Sequence, residues 1–107
     1  MKLDIPERIL MTELLNGAEV ILTSMGALKK MSDMTNFTAE ELDDFNIAQL
    51  PNGQIRWDVK EGIDPIVDIP YSEKQIKMIQ NLLRNAPKLK LQHFSILQKF
   101  GIEMPEE

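Results

Sequence analysis

Apolar positions along the chain follow two rhythms, a helical one towards both ends and an alternating one in the middle. Ile9, Leu10, Leu14 and Leu15 recur at helical spacing behind Pro6 and Glu7, which suit a first helical turn, and Asn16-Gly17 is a stop signal. Before them, residues 1–5 read as a short strand or an extended lead-in. A second helix is predicted over residues 18–31, where Ile21, Met25 and Leu28 make an i, i+4, i+7 stripe. Its Val20-Ile21-Leu22-Thr23 core also has strand propensity, and Gly26 costs a helix about 1 kcal/mol. Residues 32–36 read as a loop. Thr38 then caps a short helix ending near Phe45, with Glu40 and Glu41 at its positive end and Phe37 spaced to staple onto Leu42.

The alternating rhythm begins at Asn46. In Leu50-Pro-Asn-Gly-Gln-Ile-Arg-Trp57, Pro51 presets a type I turn and Gly53 supplies the left-handed residue after it. That three-residue loop pairs Leu50 with Gln54 and Ile47 with Trp57. Ile55 and Trp57 then share one face, while Ala48, Leu50, Gln54 and Arg56 share the other. A two-residue Asn-Gly turn would shift the pairing but keep Ile55 with Trp57. Residues 66–69 make a third strand between Pro65 and Pro70, which marks a sheet edge.

The best-signed helix follows. Ser72 and Gln75 have capping-box spacing, Tyr71 and Ile76 the spacing of a hydrophobic staple, and Ile76, Ile79, Leu82 and Leu83 one apolar stripe. Asn85-Ala-Pro87 stops it, because proline excludes helical dihedrals from the residue before it. A last helix over residues 89–100 carries Phe94, Leu97 and Phe100 as its stripe, lacks a clear N-cap and ends at Gly101. The expected fold is α+β, with about four to five helices packed on one face of a small antiparallel sheet of about three strands. One domain spans residues 1–107, divided into a helical part at 1–45, the hairpin and third strand at 46–70, two C-terminal helices at 71–101 and a frayed tail at 102–107.

Composition narrows the chemistry. With 107 residues and 43% hydrophobic content the chain can bury one modest core. The absence of cysteine excludes disulfides, a thiolate nucleophile and cysteine-ligated zinc, and fits a reducing cytoplasm. No apolar run reaches the roughly 18–20 residues of a membrane span, and no signal-peptide core follows a basic start. A net charge of −5 conceals a segregation of sign. Residues 32–45 hold Asp33, Glu40, Glu41, Asp43 and Asp44 without a cation. Residues 73–100 set Lys74, Lys77, Arg84, Lys88, Lys90 and Lys99 against Glu73 alone.

No pattern of catalytic residues emerges. His93 is the one histidine and has no ligand partners near it in sequence, so it reads as a helix histidine that is half-buried or makes one hydrogen bond. Nothing resembles a nucleophile elbow for a Ser-His-Asp arrangement. Asp33, Asp43 and Asp44 lack the spacing of a calcium loop, and adjacent aspartates on a helix point in different directions. The glycines are too scattered to cradle a phosphate. Met11, Met25, Met31 and Met78 read as core or core margin in preference to a plastic binding surface. Trp57 reads as a plug of the core; if its face is covered by another chain, it is an interface anchor instead.

From the hairpin onward, Leu50-Pro-Asn-Gly-Gln-Ile-Arg-Trp57, Lys88-Leu89, His93 and Lys99-Phe100 resemble a pattern in small proteins encoded by bacteriophages and prophages. The similarity covers residues 49–100, and residues 18–36 depart from it by being more apolar. It implies a phage setting and a bacterial host, and it carries no mechanism and no catalytic residue. The expectation is a non-enzymatic cytoplasmic protein without cofactor or metal, binding a host or phage protein through Leu50, Arg56 and Trp57, with homo-oligomerisation open. Two alternatives stand beside it: a nucleic-acid-binding face made of Lys74, Lys77, Arg84, Lys88 and Lys90, and an acidic nucleic-acid mimic over residues 40–44.

Overall fold

In a computed structural model the structure describes residues 1–105. A strand β1 (Lys2–Leu3) leads into α1 (Ile5–Gly17), followed by α2 (Leu22–Thr35) and α3 (Ala39–Asp44). The hairpin strands β2 (Ala48–Gln49) and β3 (Ile55–Arg56) come next, then β4 (Val67–Asp68), α4 (Glu73–Arg84), a 3-10 turn at Leu91–His93 and α5 (Phe94–Lys99). The class is α+β, but the expected three-stranded sheet is two separate two-stranded ones. β2 pairs antiparallel with β3, whereas β4 leaves the hairpin and pairs antiparallel with β1, Leu3 opposite Val67.

The core lies between β1, β4 and the helices α1, α2, α4 and α5. Leu3, Met11, Leu15, Leu28, Met31, Ile69, Tyr71, Ile79, Leu83, Ile96, Leu97 and Phe100 form one buried cluster. The α4 stripe falls as its spacing implies, with Ile79 and Leu83 buried and Ile76 and Leu82 half-buried against the cluster. Its capping box is made: Ser72 Oγ accepts from the Gln75 amide at 3.1 Å and Gln75 Oε1 from the Ser72 amide at 2.8 Å. The frayed tail needs correction at its start. Gly101 takes φ +68°, and the Gly101 and Ile102 amides return to the Gln98 and Leu97 carbonyls. That closes α5 with a Schellman motif and folds Ile102 onto the core. Residues 106–107 of the expected tail lie outside the described residues.

The second helix also differs. Residues 18–21 are extended, α2 begins at Leu22, and it runs on through the expected loop to Thr35. Its buried face is therefore Leu28, Met31, Ser32 and Thr35, while Ile21 and Met25 are exposed, so Met25 belongs to neither core nor margin. Small polar residues finish that face through hydrogen bonds, two of them to distant residues. Ser32 Oγ donates to Asn16 Oδ1 at 3.0 Å, and Thr35 Oγ1 donates to the Met31 carbonyl at 2.8 Å and meets the Tyr71 hydroxyl. At the other end of the chain the last helix is shorter than expected, and Phe94 is exposed where Ile96 is buried.

Two ion pairs fasten the first turns of helices to distant elements. Glu7 completes a capping box with Asp4 at the start of α1, and its Oε1 also takes Lys99 Nζ from α5 at 2.7 Å. Glu41 completes the box with Thr38 at the start of α3 and takes the buried Arg8 guanidinium in a fork at 2.5 and 3.0 Å. Leu42, the expected staple partner of Phe37, is exposed, and Phe37 has aromatic and cationic neighbours. Phe37 packs edge-on against Phe45 and lies under Arg8, 4.2 Å from ring centre to guanidinium carbon.

Candidate functional site

The hairpin is the one element pair whose side chains stay largely outside this core. Every residue from Pro51 to Asp58 is exposed, Trp57 by 40%. Its turn follows the three-residue form: the Leu50 amide donates to the Gln54 carbonyl at 2.7 Å, the Gly53 amide to the Leu50 carbonyl at 2.9 Å, and Gly53 adopts φ +84°. Ala48 faces Arg56 and Gln49 faces Ile55, the register that pairs Leu50 with Gln54.

The base of the hairpin is tied to α3. Asn46 takes φ +48° after that helix, and the Asn46 and Ile47 amides return to the Asp43 and Leu42 carbonyls. Asn46 Nδ2 donates to the Asp58 carbonyl at 2.6 Å, while the Asp58 and Lys60 amides donate to the Phe45 and Asp44 carbonyls, each at 2.9 Å. Since α3 is itself fastened by Arg8 to α1, the hairpin is held in place from below through a chain of polar contacts. It does not need Trp57 in the core to stand.

Alternation along β3 sends its side chains into two different clefts. Ile55 and Trp57 face a cleft of about 610 Å³ closed on the far side by α1 and by the segment leading into α5, including Glu13, Lys90, Gln92 and His93. Leu50 and Arg56 face a second cleft of about 600 Å³ lined also by Leu42, Asp43 and Asp58. The three residues expected to bind a partner thus lie on two sides, Trp57 on one and Leu50 with Arg56 on the other, the division that strand alternation implies. The expected role of Trp57 as a core plug does not fit its exposure. Gln54, expected beside Arg56, lines the Trp57 cleft because it sits in the bulge where alternation breaks.

Charge in the Trp57 cleft is ordered by hydrogen bonding. Burial pushes the Glu7 carboxyl up. Bonds from Lys99 and from the Asp4 amide, with Ser95 and the Lys99 charge behind them, more than reverse this and leave it below the ordinary range. Glu7 Oε2 itself has no hydrogen-bond partner among the described residues. His93 Nδ1 accepts the Lys90 amide at 3.0 Å, a capping role that matches a histidine making one hydrogen bond.

The segregated charges fare unequally. Of the acidic run, Glu41 is held by Arg8, Asp43 pairs with Lys60 at 2.8 Å and Asp33 with Lys29 at 2.5 Å. Three of its five carboxylates are therefore neutralised, two of them within residues 40–44, which works against a nucleic-acid mimic there. On the basic side Lys74, Lys77 and Arg84 are exposed on α4 and Lys88 and Lys90 on the loop after it. Of these only Lys77 meets a carboxylate among the described residues, Glu73 at 3.9 Å.

Glu13, Gln92 and Ser95 are cleft residues that sequence patterning did not single out, and Lys90 and His93 were not placed beside Trp57. Ile55 was visible as the face-mate of Trp57; nothing local could place residues 90–93 opposite it. Among the described residues no group of three histidines or carboxylates could hold a metal ion, and no helix is long and apolar enough to cross a membrane. Comparison with protein-family models, curated proteins and solved structures finds no match to this chain.

Proposed function

We propose that this chain is a non-enzymatic binding protein that holds another protein through its hairpin, with Trp57 as the anchor. The observation that carries the proposal is the single tryptophan, 40% exposed beside an exposed Ile55, on a hairpin fastened by its base and not by its apolar side chains. Burying large apolar surface is the main favourable term in association, and tryptophan is enriched among residues that dominate interfaces. A protein that needed this side chain only for its own stability would have packed it into the cluster around Ile79. Leu50 and Arg56, on the reverse side, contribute a secondary contact to a partner that grips the hairpin from both faces. Under the phage resemblance the partner is a host or phage protein in the bacterial cytoplasm.

The alternative of nucleic acid on the 74–90 face has in its favour the cations left unpaired there. Against it stand the overall charge of −5 and the carboxylates on the α1 wall of the neighbouring cleft. The deciding experiment uses immobilised wild type, Trp57→Ala and Arg56→Ala to retain proteins from infected or lysogenic cells, each variant also melted. Trp57→Ala should lose the retained partner while its melting temperature falls by no more than several degrees, and Arg56→Ala should lose part of it. Retention that survives Trp57→Ala, or a nuclease-sensitive complex, would refute the proposal.

A further inference from the structure

Beside the Trp57 cleft runs a strip in which cations and uncovered apolar side chains alternate. Lys88 and Lys90 are exposed, Leu89 and Phe94 are 40% and 46% exposed, and Leu91 stands out by 87%. Lys90 belongs to both features, since it lines the cleft wall opposite Trp57. Some carboxylates elsewhere in the fold find cations, Glu7, Asp33, Glu41 and Asp43 among them. Lys88, Lys90 and the nearby Arg84 have none among the described residues. In a chain of net charge −5, three unpaired cations threaded by exposed leucines are a segregated surface.

We infer that the partner's docking segment is an acidic, apolar peptide stretch, its carboxylates over Lys88 and Lys90 and its apolar side chains between Trp57 and the Leu89–Phe94 strip. This rests on the binding reading above and specifies the chemistry of what is bound. Charge complementarity points to carboxylates, and the leucines point to a ligand that also has apolar groups to bury. A phosphodiester backbone offers the charge without the apolar side chains. A lipid surface offers both, but it is broad, whereas the strip borders a cleft whose hairpin side offers Ile55 and Trp57 as a separate apolar wall. Glu7 on the α1 wall is already matched by Lys99, and Asp4 is committed to capping α1. The wall facing the hairpin thus carries both signs, Glu13 on α1 and Lys90 before α5, and a peptide lying in the cleft would be oriented by that difference.

Panning a random peptide library against the immobilised full chain tests this. The enriched peptides should combine Asp or Glu with Leu, Ile, Phe or Trp. The best of them, synthesised and titrated against the fluorescence of the one tryptophan, should bind at least tenfold more weakly to Lys88→Glu/Lys90→Glu and weaken as salt rises. All five substituted or neighbouring positions are exposed, so a wild-type thermal melt should accompany the loss. If enriched peptides need Trp57 but are basic or uncharged and ignore the charge reversal, this inference falls and the binding reading stands. If nothing is enriched, or what is enriched ignores Trp57→Ala, the binding reading itself fails. Binding of phosphatidylserine vesicles or of a 20-nucleotide DNA strand that disappears in the double charge reversal would overturn the peptide assignment in favour of that ligand.

Discussion

Arg8 shows how one side chain can decide a local fold. It is 2% exposed and spends its donors on Glu41, the Thr35 carbonyl at 3.2 Å and the Asn36 carbonyl at 3.0 Å, with the Phe37 ring against its face. A buried cation stripped of its counter-charge is costly, so Glu41→Gln should destabilise by about 3–5 kcal/mol in a urea titration at neutral pH. The same pair sets an acid limit. Hydrogen bonding to Arg8 holds the Glu41 carboxyl below its ordinary range, burial opposing this only in part, and Glu7 is lowered too. A depressed carboxylate stabilises the fold above the unfolded value of about 4.3 and loses that contribution as pH falls through the lower native value. Wild type should therefore lose stability steeply below about pH 4.3. Glu41→Gln should lose less over the same range, and parallel urea titrations at several pH values would show equal slopes if the pair were unimportant. None of this was legible beforehand. The Thr38 cap could be read from neighbours, but Arg8 and Glu41 lie 33 residues apart and carry no local mark of each other.

At the scale of elements, reading succeeds where the cause is local. The Ser72 box, the Thr38 box and the turn at residues 51–53 are all settled within four or five residues, and each forms as expected. Replacing Ile79 or Leu83 by alanine should cost about 2–5 kcal/mol through lost burial and a residual cavity, and Ser72→Ala about 0.5–2 kcal/mol through the cap. Thermal or urea unfolding of the three variants checks the order. The α2 stripe went astray for a physical reason: its buried face is finished by Ser32 and Thr35, which a count of apolar positions passes over. Gly26 sits on the exposed side of that helix, with open space where a Cβ would stand and no positive φ. Gly26→Ala should raise stability by about 0.5–1 kcal/mol, a gain of several degrees in melting temperature for a domain of this size. An unchanged or lowered melt would mean that the turn around Gly26 is not helical in solution.

Across the whole molecule, the decisive feature is a division of labour between a core built on the β1–β4 pair and a hairpin standing outside it. Proline at each end of residues 66–69 correctly marked an edge. Which strand it would meet depended on a contact between residues 3 and 67, and no turn specifies so distant a closure. The sheet was therefore drawn in sequence order, with β4 on the hairpin, and Trp57 was drawn into a core that lies elsewhere. Correcting the pairing frees both faces of the hairpin, opens the two clefts and turns the tryptophan from a plug into a contact. Urea unfolding of Trp57→Ala, followed by far-ultraviolet circular dichroism beside wild type and Ile79→Ala, tests that last step most directly. Trp57→Ala should lose only about 1 kcal/mol, as substitutions outside a core usually do, against a loss of about 2–5 kcal/mol for Ile79→Ala. A loss of about 3–5 kcal/mol, the size expected for a core aromatic, would put Trp57 back inside the fold and contradict the account.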